Sequence, residues 1–143
     1  EAEDMLFPNG TVITPDGGTL ICAESEGCRL TAFKRAEDGT LSDRRVWADL
    51  GEYGPDGICL DASGAVWASI IADGVFLRVA EGGEILQTLK PNSKRAVACN
   101  LGGADGKTLF AMTFDGELEE IWTGVKKARV EVCRVDTPGV GSP

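Results

Sequence analysis

Short runs of apolar and β-branched residues alternate along the chain with turns rich in glycine and aspartate. The first group of runs predicts strands at residues 11–14, 19–24, 29–35 and 44–50. The third of these runs alternates long polar with apolar residues, as expected for a strand that is buried on one face. Four short strands joined by glycine-containing turns predict an antiparallel meander.

The same arrangement recurs twice further along the chain. The second copy predicts strands at 57–61, 65–69, 75–80 and 84–89, and the third predicts strands beginning near residue 96 and at 108–113 and 129–135, after an insertion at 114–128. The turn glycines Gly17, Gly64 and Gly106 follow one another at intervals of 47 and 42 residues. A four-stranded unit repeated at this spacing is typical of a β-propeller blade. A β-sandwich of about a dozen strands is the alternative, but the in-register match of residues 15–20 with 104–109 favours the propeller.

Two of the repeats begin with a proline, an oxygen-bearing residue and a glycine. Asn9 stands in the middle of the first motif and Asp56 in the middle of the second, each eight residues before its turn glycine. Amide and carboxylate oxygens are ligands that hard cations such as Ca²⁺ and Mg²⁺ prefer. The repeat therefore predicts a metal site that both residues share, whereas the two dipeptides alone would indicate only turns.

Composition narrows the function further. The 143 residues carry a formal charge of −9 and a sequence pI of about 4.5, which argues against binding to nucleic acid or to an anionic membrane surface. The chain has no histidine, so Ser-His-Asp and Cys-His mechanisms are excluded. Five cysteines without a CxxC pair predict small apolar core side chains in a reducing, cytoplasmic compartment.

Other candidates are expected to have structural roles. Trp47 and Trp67 are predicted to pack in the core. Glu24 and Ser25 end a predicted strand and could approach the metal site, but a solvated turn is the preferred interpretation.

Several motifs together resemble the SMP-30/gluconolactonase family, which is also called regucalcin-like. They lie within residues 7–25, 45–67, 78–84 and 101–109 and in the tail 135–141, and include Arg45-Val46-Trp47-Ala48-Asp49-Leu50 and Pro55-Asp56-Gly57-Ile58-Cys59-Leu60-Asp61. The resemblance implies an all-β, six-bladed propeller that binds one divalent cation near its axis and, in many members, hydrolyses sugar lactones or related lactones and esters. It implies Ca²⁺ as the first choice of cation, with Zn²⁺, Mg²⁺ or Mn²⁺ as alternatives. It also implies that Asn9 and Asp56 are metal ligands, together with a glutamate from an early blade, and that Asp56 is the general base.

The resemblance covers only the C-terminal half of the family's chain. Residues 1–143 are accordingly interpreted as half of a propeller, with three four-stranded blades at about 8–50, 55–90 and 96–136. Three blades cannot close a ring, so the missing N-terminal half or a second copy of the chain is expected as a partner. The substrate-binding residues are unknown, and segment 69–74 is more apolar than the resemblance leads us to expect. A non-catalytic fragment that binds cations or proteins is the alternative function.

Overall fold

The computed structural model describes residues 2–141, which form eleven β-strands and one short 3-10 helix. This confirms the all-β prediction. The strands are β1 (Pro8–Ile13), β2 (Thr19–Glu24), β3 (Arg29–Arg35), β4 (Leu41–Asp49), β5 (Pro55–Leu60), β6 (Val66–Ile70), β7 (Val75–Val79), β8 (Ile85–Leu89), β9 (Arg95–Gly102), β10 (Thr108–Phe114) and β11 (Ala128–Arg134).

The strands form three separate antiparallel sheets in chain order: sheet 1 (β1–β4), sheet 2 (β5–β8) and sheet 3 (β9–β11). Sheets 1 and 2 are four-stranded meanders with the same strand order. Both carry a register irregularity at the same place, between Pro8 and Thr11 in β1 and between Pro55 and Ile58 in β5. The repeated motif of the sequence is therefore a repeated bulge at the start of the first strand of a sheet.

Sheet 3 differs from the prediction, because it has three strands where four were expected. Between β11 and residue 141 the chain does not turn back to pair with the outer edge of β11. Instead Gly139 forms an isolated bridge with Asp61, and the Ala62 backbone N–H donates to the Pro138 carbonyl at 2.8 Å. The last described residues are thus held against sheet 2, and the outer edge of β11 stays unpaired within residues 2–141.

Two apolar cores hold the sheets together. The core between sheets 1 and 2 includes Ile21, Trp47 and Leu77, and the core between sheets 2 and 3 includes Trp67 and Leu109. Alternate residues of β6 point into the two cores, so all five of its residues are buried. Sheet 2 is therefore covered on both faces at β6, although its outer strand β8 is exposed, and the prediction that Trp47 and Trp67 pack in the core is confirmed.

The outer face of sheet 3 is apolar and lacks a covering layer in the described part of the chain. Phe110, Val130 and Val132 lie on it with exposed fractions of 36%, 66% and 65%. A groove of about 500 Å³ runs beside them toward the 3-10 helix Leu118–Thr123, whose Trp122 is 88% exposed. No helix among the described residues is long and apolar enough to span a membrane.

Candidate metal centre

The first strands of the three sheets approach one another unusually closely at the bulges. A Cβ atom on Gly10 would lie 2.6 Å from the Ile58 backbone nitrogen and 2.7 Å from the Asp56 carbonyl oxygen. A Cβ atom on Gly57 would lie 2.5 Å from the Cβ of Ala98. Glycine at these two positions therefore lets β1 pack on β5 and β5 pack on β9, which brings the residues preceding the glycines together.

A serine hydroxyl connects the two predicted ligand positions. The Asn9 side-chain nitrogen donates to Ser25 Oγ at 3.3 Å, and Ser25 Oγ donates to the Pro55 carbonyl at 2.7 Å. Pro55 immediately precedes Asp56, so Ser25 fixes the start of β5 beside the start of β1. Ser25 lies in a turn, as expected, but the expectation that it is merely solvated was wrong, because its hydroxyl bonds to both strand starts.

The Asp56 carboxyl is half-buried, and its surroundings favour its neutral form. Burial raises its pKa above the ordinary value, and the nearby Asn9 side chain opposes this only in part. Among residues 2–141, no lysine or arginine forms an ion pair with Asp56. A bound cation would stabilise the ionised form of a desolvated carboxylate that has no other cationic partner.

The donors at this point suit a hard divalent cation, but they do not complete a site. Asn9 and Asp56 offer one amide and one carboxylate group, and Ser25 adds a hydroxyl oxygen. Within the described residues, no group of three or more His, Cys, Asp or Glu side chains is placed to hold a metal ion. On β9, Val97 lies next to Gly57, and its side chain offers no oxygen to a cation. The residues present therefore fit part of a coordination shell.

Two buried carboxylates near the first strands of sheets 1 and 2 have structural roles and are not part of the candidate metal site. Glu24 is 0% exposed and forms ion pairs with Arg29 at 3.1 Å and Arg44 at 3.3 Å. Burial alone would raise its pKa, but hydrogen bonds from Arg29, the Leu6 backbone and Thr31 lower it to about 2. The interpretation of Glu24 as a solvated residue was therefore also wrong.

The second such carboxylate, Asp61, is likewise 0% exposed. It accepts hydrogen bonds from the Ser63 hydroxyl at 2.6 Å and from Arg78 Nε at 2.7 Å. Because these partners satisfy it, Asp61 closes the turn after β5 and is not a free ligand.

The unexpectedly apolar segment 69–74 connects the candidate site to sheet 3. Ser69 Oγ lies within hydrogen-bonding distance of the carbonyl oxygens of Gly57 (2.9 Å) and Val97 (2.7 Å), and by donating to either it connects β5 and β9 next to Asp56. Ile71 lies beside Val97 in the wall of the apolar groove. Segment 69–74, which is more apolar than the resemblance implies, thus lies at the junction between the candidate site and the outer face of sheet 3.

The cysteines agree in part with the predicted core role. Cys22, Cys59 and Cys99 are buried, Cys28 and Cys133 are half-buried, and all five are free thiols.

Comparison with known proteins places these features in a family. The family model described as SMP-30/Gluconolactonase/LRE-like region matches residues 1–115. A 6-deoxy-6-sulfogluconolactonase from Pseudomonas putida is 25% identical over 147 aligned residues, which cover 99% of this chain and 50% of the relative. A regucalcin from Xenopus laevis is 29% identical and covers 83% of this chain and 42% of its own length. The chain thus spans about half the length of the curated relatives that it matches.

Solved structures show the same relation. A luciferin-regenerating enzyme aligns with a TM-score of 0.82 at 16% identity, over 98% of this chain and 49% of that one. A calcium-binding regucalcin from Agrobacterium tumefaciens aligns with a TM-score of 0.77 at 20% identity, over 98% and 50%. A gluconolactonase from Xanthomonas campestris is 32% identical over 76% of this chain and 35% of its own, with a TM-score of 0.62. The likenesses below 25% identity establish the fold, which is that of half a regucalcin-like propeller.

Proposed function

The chain belongs to the SMP-30/gluconolactonase/LRE-like family, and from this premise we propose that it supplies half of the active site of a metal-dependent hydrolase of sugar lactones or related lactones and esters. Relatives named as gluconolactonases support the lactonase part of the proposal. The name of one solved neighbour, a calcium-binding regucalcin, supports a divalent cation, for which Ca²⁺ is the first choice.

The observation that carries the proposal is the position of Asn9 beside Asp56. The two residues come from different sheets, 47 positions apart in sequence, yet the Asn9 side chain lies close enough to the Asp56 carboxyl to influence its pKa. Asp56 has no cationic side chain as a partner among the described ion pairs, so its charge is left for a ligand to neutralise. An oxygen pair of this kind is better suited to a cation than to a core contact.

Each residue then has a defined role. Asp56 and Asn9 would hold the cation through a carboxylate oxygen and the amide oxygen, and the amide nitrogen can stay directed at Ser25 Oγ. A bound cation would polarise the lactone carbonyl and lower the pKa of a bound water. Asp56 would also accept the proton of the attacking water, because its carboxylate would lie next to the water held on the cation.

A complete site requires a partner that closes the ring. Asn9 and Asp56 leave most of a coordination shell to other groups, since Ca²⁺ takes about six to eight oxygen ligands. We propose that the N-terminal half of a longer chain supplies them, because the relatives are about twice as long as this chain. A second copy of the chain is the alternative partner.

One observation favours the second candidate function, a non-catalytic module that binds cations or proteins. The outer face of sheet 3 offers an apolar surface for a partner. The reducing, cytoplasmic location stays a prediction from the cysteine pattern.

Removing the metal and then restoring it distinguishes the lactone hydrolase from the non-catalytic module. The complete protein, with its ring closed, is treated with a chelator and assayed for hydrolysis of gluconolactone before and after Ca²⁺, Mg²⁺, Mn²⁺ or Zn²⁺ is returned. We expect activity to disappear with the metal and to reappear with at least one of these cations. A closed ring that binds the cation but hydrolyses no lactone would favour the non-catalytic module, and activity that persists without metal would contradict the proposal.

A further inference from the structure

Two buried cysteines from neighbouring sheets lie in contact, although their spacing along the chain does not predict it. Cys59 of β5 and Cys99 of β9 are 40 residues apart in sequence, and their Sγ atoms are 3.7 Å apart. Cys99 Sγ also donates to the Trp67 carbonyl at 3.6 Å, which keeps its thiol beside β6. Cys59 lies on the first strand of sheet 2 and Cys99 on the first strand of sheet 3, so the pair spans the junction between these sheets.

The two thiols are buried, but an adjacent cavity gives small molecules access to them. Each cysteine is about 5% exposed, and both line a cavity of about 390 Å³ that runs along the inner strands. The same cavity is lined by apolar side chains such as Ile58 and Leu101 and by polar ones such as Thr11 and Asn100, so its wall is mixed. A small neutral molecule such as hydrogen peroxide can enter a cavity of this size, whereas a bulky charged reagent would be excluded.

We propose that Cys59 and Cys99 form a reversible disulfide that ties sheet 2 to sheet 3, with a small peroxide as the oxidant. With peroxide, the sulfur of one cysteine attacks an oxygen atom and breaks the O–O bond, which leaves a sulfenic acid and releases water. The sulfur of the second cysteine then attacks the sulfenic sulfur and releases a second water. Overall, two thiols and one peroxide give one disulfide and two waters. A thiol reductant reverses the reaction by exchange.

The surroundings of the pair determine its rate of oxidation. The hydrogen bond with Cys59 and the burial raise the pKa of Cys99 well above the ordinary value. The thiolate is therefore scarce at neutral pH, and oxidation should become faster as the pH rises. The other three cysteines form no thiol–thiol contact in the described part of the chain.

Peptide mapping tests the proposal directly. The folded protein is oxidised with a small excess of hydrogen peroxide, remaining thiols are blocked under denaturing conditions, and the protein is digested with trypsin without reduction. We expect a disulfide between the peptides 46–78 and 96–107, which carry Cys59 and Cys99. The linked peptide should disappear after reduction and in both Cys59→Ser and Cys99→Ser. It should persist in Cys22→Ser, a matched control because Cys22 is also buried.

A second probe does not depend on oxidation. Phenylarsine oxide binds two thiols that lie close together, so the folded, reduced protein should bind one equivalent, and either Cys59→Ser or Cys99→Ser should abolish this binding. Peroxide treatment that yields sulfinic acids without the link, or links scattered among all five cysteines, would overturn the proposal. Arsenical binding that survives in both single variants would overturn it as well.

Discussion

Asn9 and Asp56 lie where two strand backbones are in close contact, and their environments follow from that position. Burial raises the pKa of Asp56 because few water molecules reach it. Glu24, by contrast, is fully buried but surrounded by donors, so its pKa falls to about 2. The pKa of the more deeply buried Glu24 is thus the lower of the two, because Glu24 has cationic partners whereas Asp56 has none among the described ion pairs.

Asn9→Ala should weaken cation binding because it removes one of the two predicted side-chain ligands from this chain. Titration calorimetry with Ca²⁺ on the closed ring should show a loss of affinity of about tenfold or more, within the range of a lost polar contact to a charge. The isolated chain should bind Ca²⁺ only weakly. Tight one-to-one binding to the isolated chain would show that the site is elsewhere or that another residue supplies the missing ligand.

Glu24→Gln should destabilise the fold at neutral pH by about 1–3 kcal/mol, since it removes the charge that Arg29 and Arg44 neutralise. The pKa of Glu24 falls from 4.5 unfolded to about 2 folded. Its contribution is therefore complete above the unfolded value and is lost as the pH falls from about 4.5 to about 2.

Chemical denaturation at a series of pH values measures this loss. The difference between wild type and Glu24→Gln should shrink across the acid range. The exposed neighbour Glu26 provides the control Glu26→Gln, which should change the free energy of unfolding by less than about 0.5 kcal/mol. A difference that is constant between neutral pH and pH 2 would contradict the structural role of Glu24.

Prediction from sequence worked for residues that the repeat marks and failed for those that tertiary contacts define. Asn9 and Asp56 occupy equivalent places in two repeats, so the pattern alone paired them, and their role as ligands stays a prediction. Ser25 and Glu24 looked like turn residues because nothing local shows that Phe7 and Leu6 fold over them. The contact between Cys59 and Cys99 depends on how two sheets pack, which spacing along the chain does not encode.

At the level of strands, the bulged start of each inner strand determines how closely the sheets pack. The predicted bounds of β2 and β3 match the observed ones, because turns with glycine flank clear apolar runs. The fourth strand of sheet 3 was expected from the repeat, but the tail turns toward sheet 2 and bridges Asp61 through Gly139. A repeat predicts the strands whose turns recur, and it cannot predict where a chain leaves the repeat.

Gly10→Ala should destabilise the junction between β1 and β5, because its Cβ would lie 2.6 Å from the backbone nitrogen of Ile58. Backbone atoms cannot rotate away, so we expect a loss of about 1–3 kcal/mol in the free energy of unfolding. Gly18→Ala is the matched control, since its nearest neighbours are Asp16 side-chain atoms at 3.5 Å. Thermal and urea denaturation should separate the two variants, and equal stability would show that the strands are not in tight contact.

At the level of the whole molecule, the outer faces of sheets 1 and 3 differ in how far other residues cover them. The outer face of sheet 1 is screened by residues before β1, where Arg44 donates to the carbonyl oxygens of Glu3 and Asp4. The outer face of sheet 3 leaves Phe110, Val130 and Val132 exposed. Exposed apolar faces of this kind mark interaction surfaces or sites of aggregation.

The isolated chain should therefore associate into a dimer, aggregate, or be found with a complementary chain. Light scattering should report a mass above that of the monomer, and a dye that binds apolar surface should bind strongly. Val132→Glu should reduce both signals, whereas Val46→Glu, at an exposed valine of β4, should reduce them less. A stable monomer that binds little dye would contradict this expectation.

The most direct test of the proposed function is the lactonase activity of Asp56→Asn in the closed ring. The variant keeps the shape of the side chain but loses the charge that would hold the cation and the base that would accept a proton. We expect hydrolysis to fall by about a hundredfold or more, with little change in the melting temperature. Asp105→Asn, at an exposed turn paired with Arg134, should retain activity. Full activity in Asp56→Asn would contradict the assignment of this residue and the catalytic site built on it.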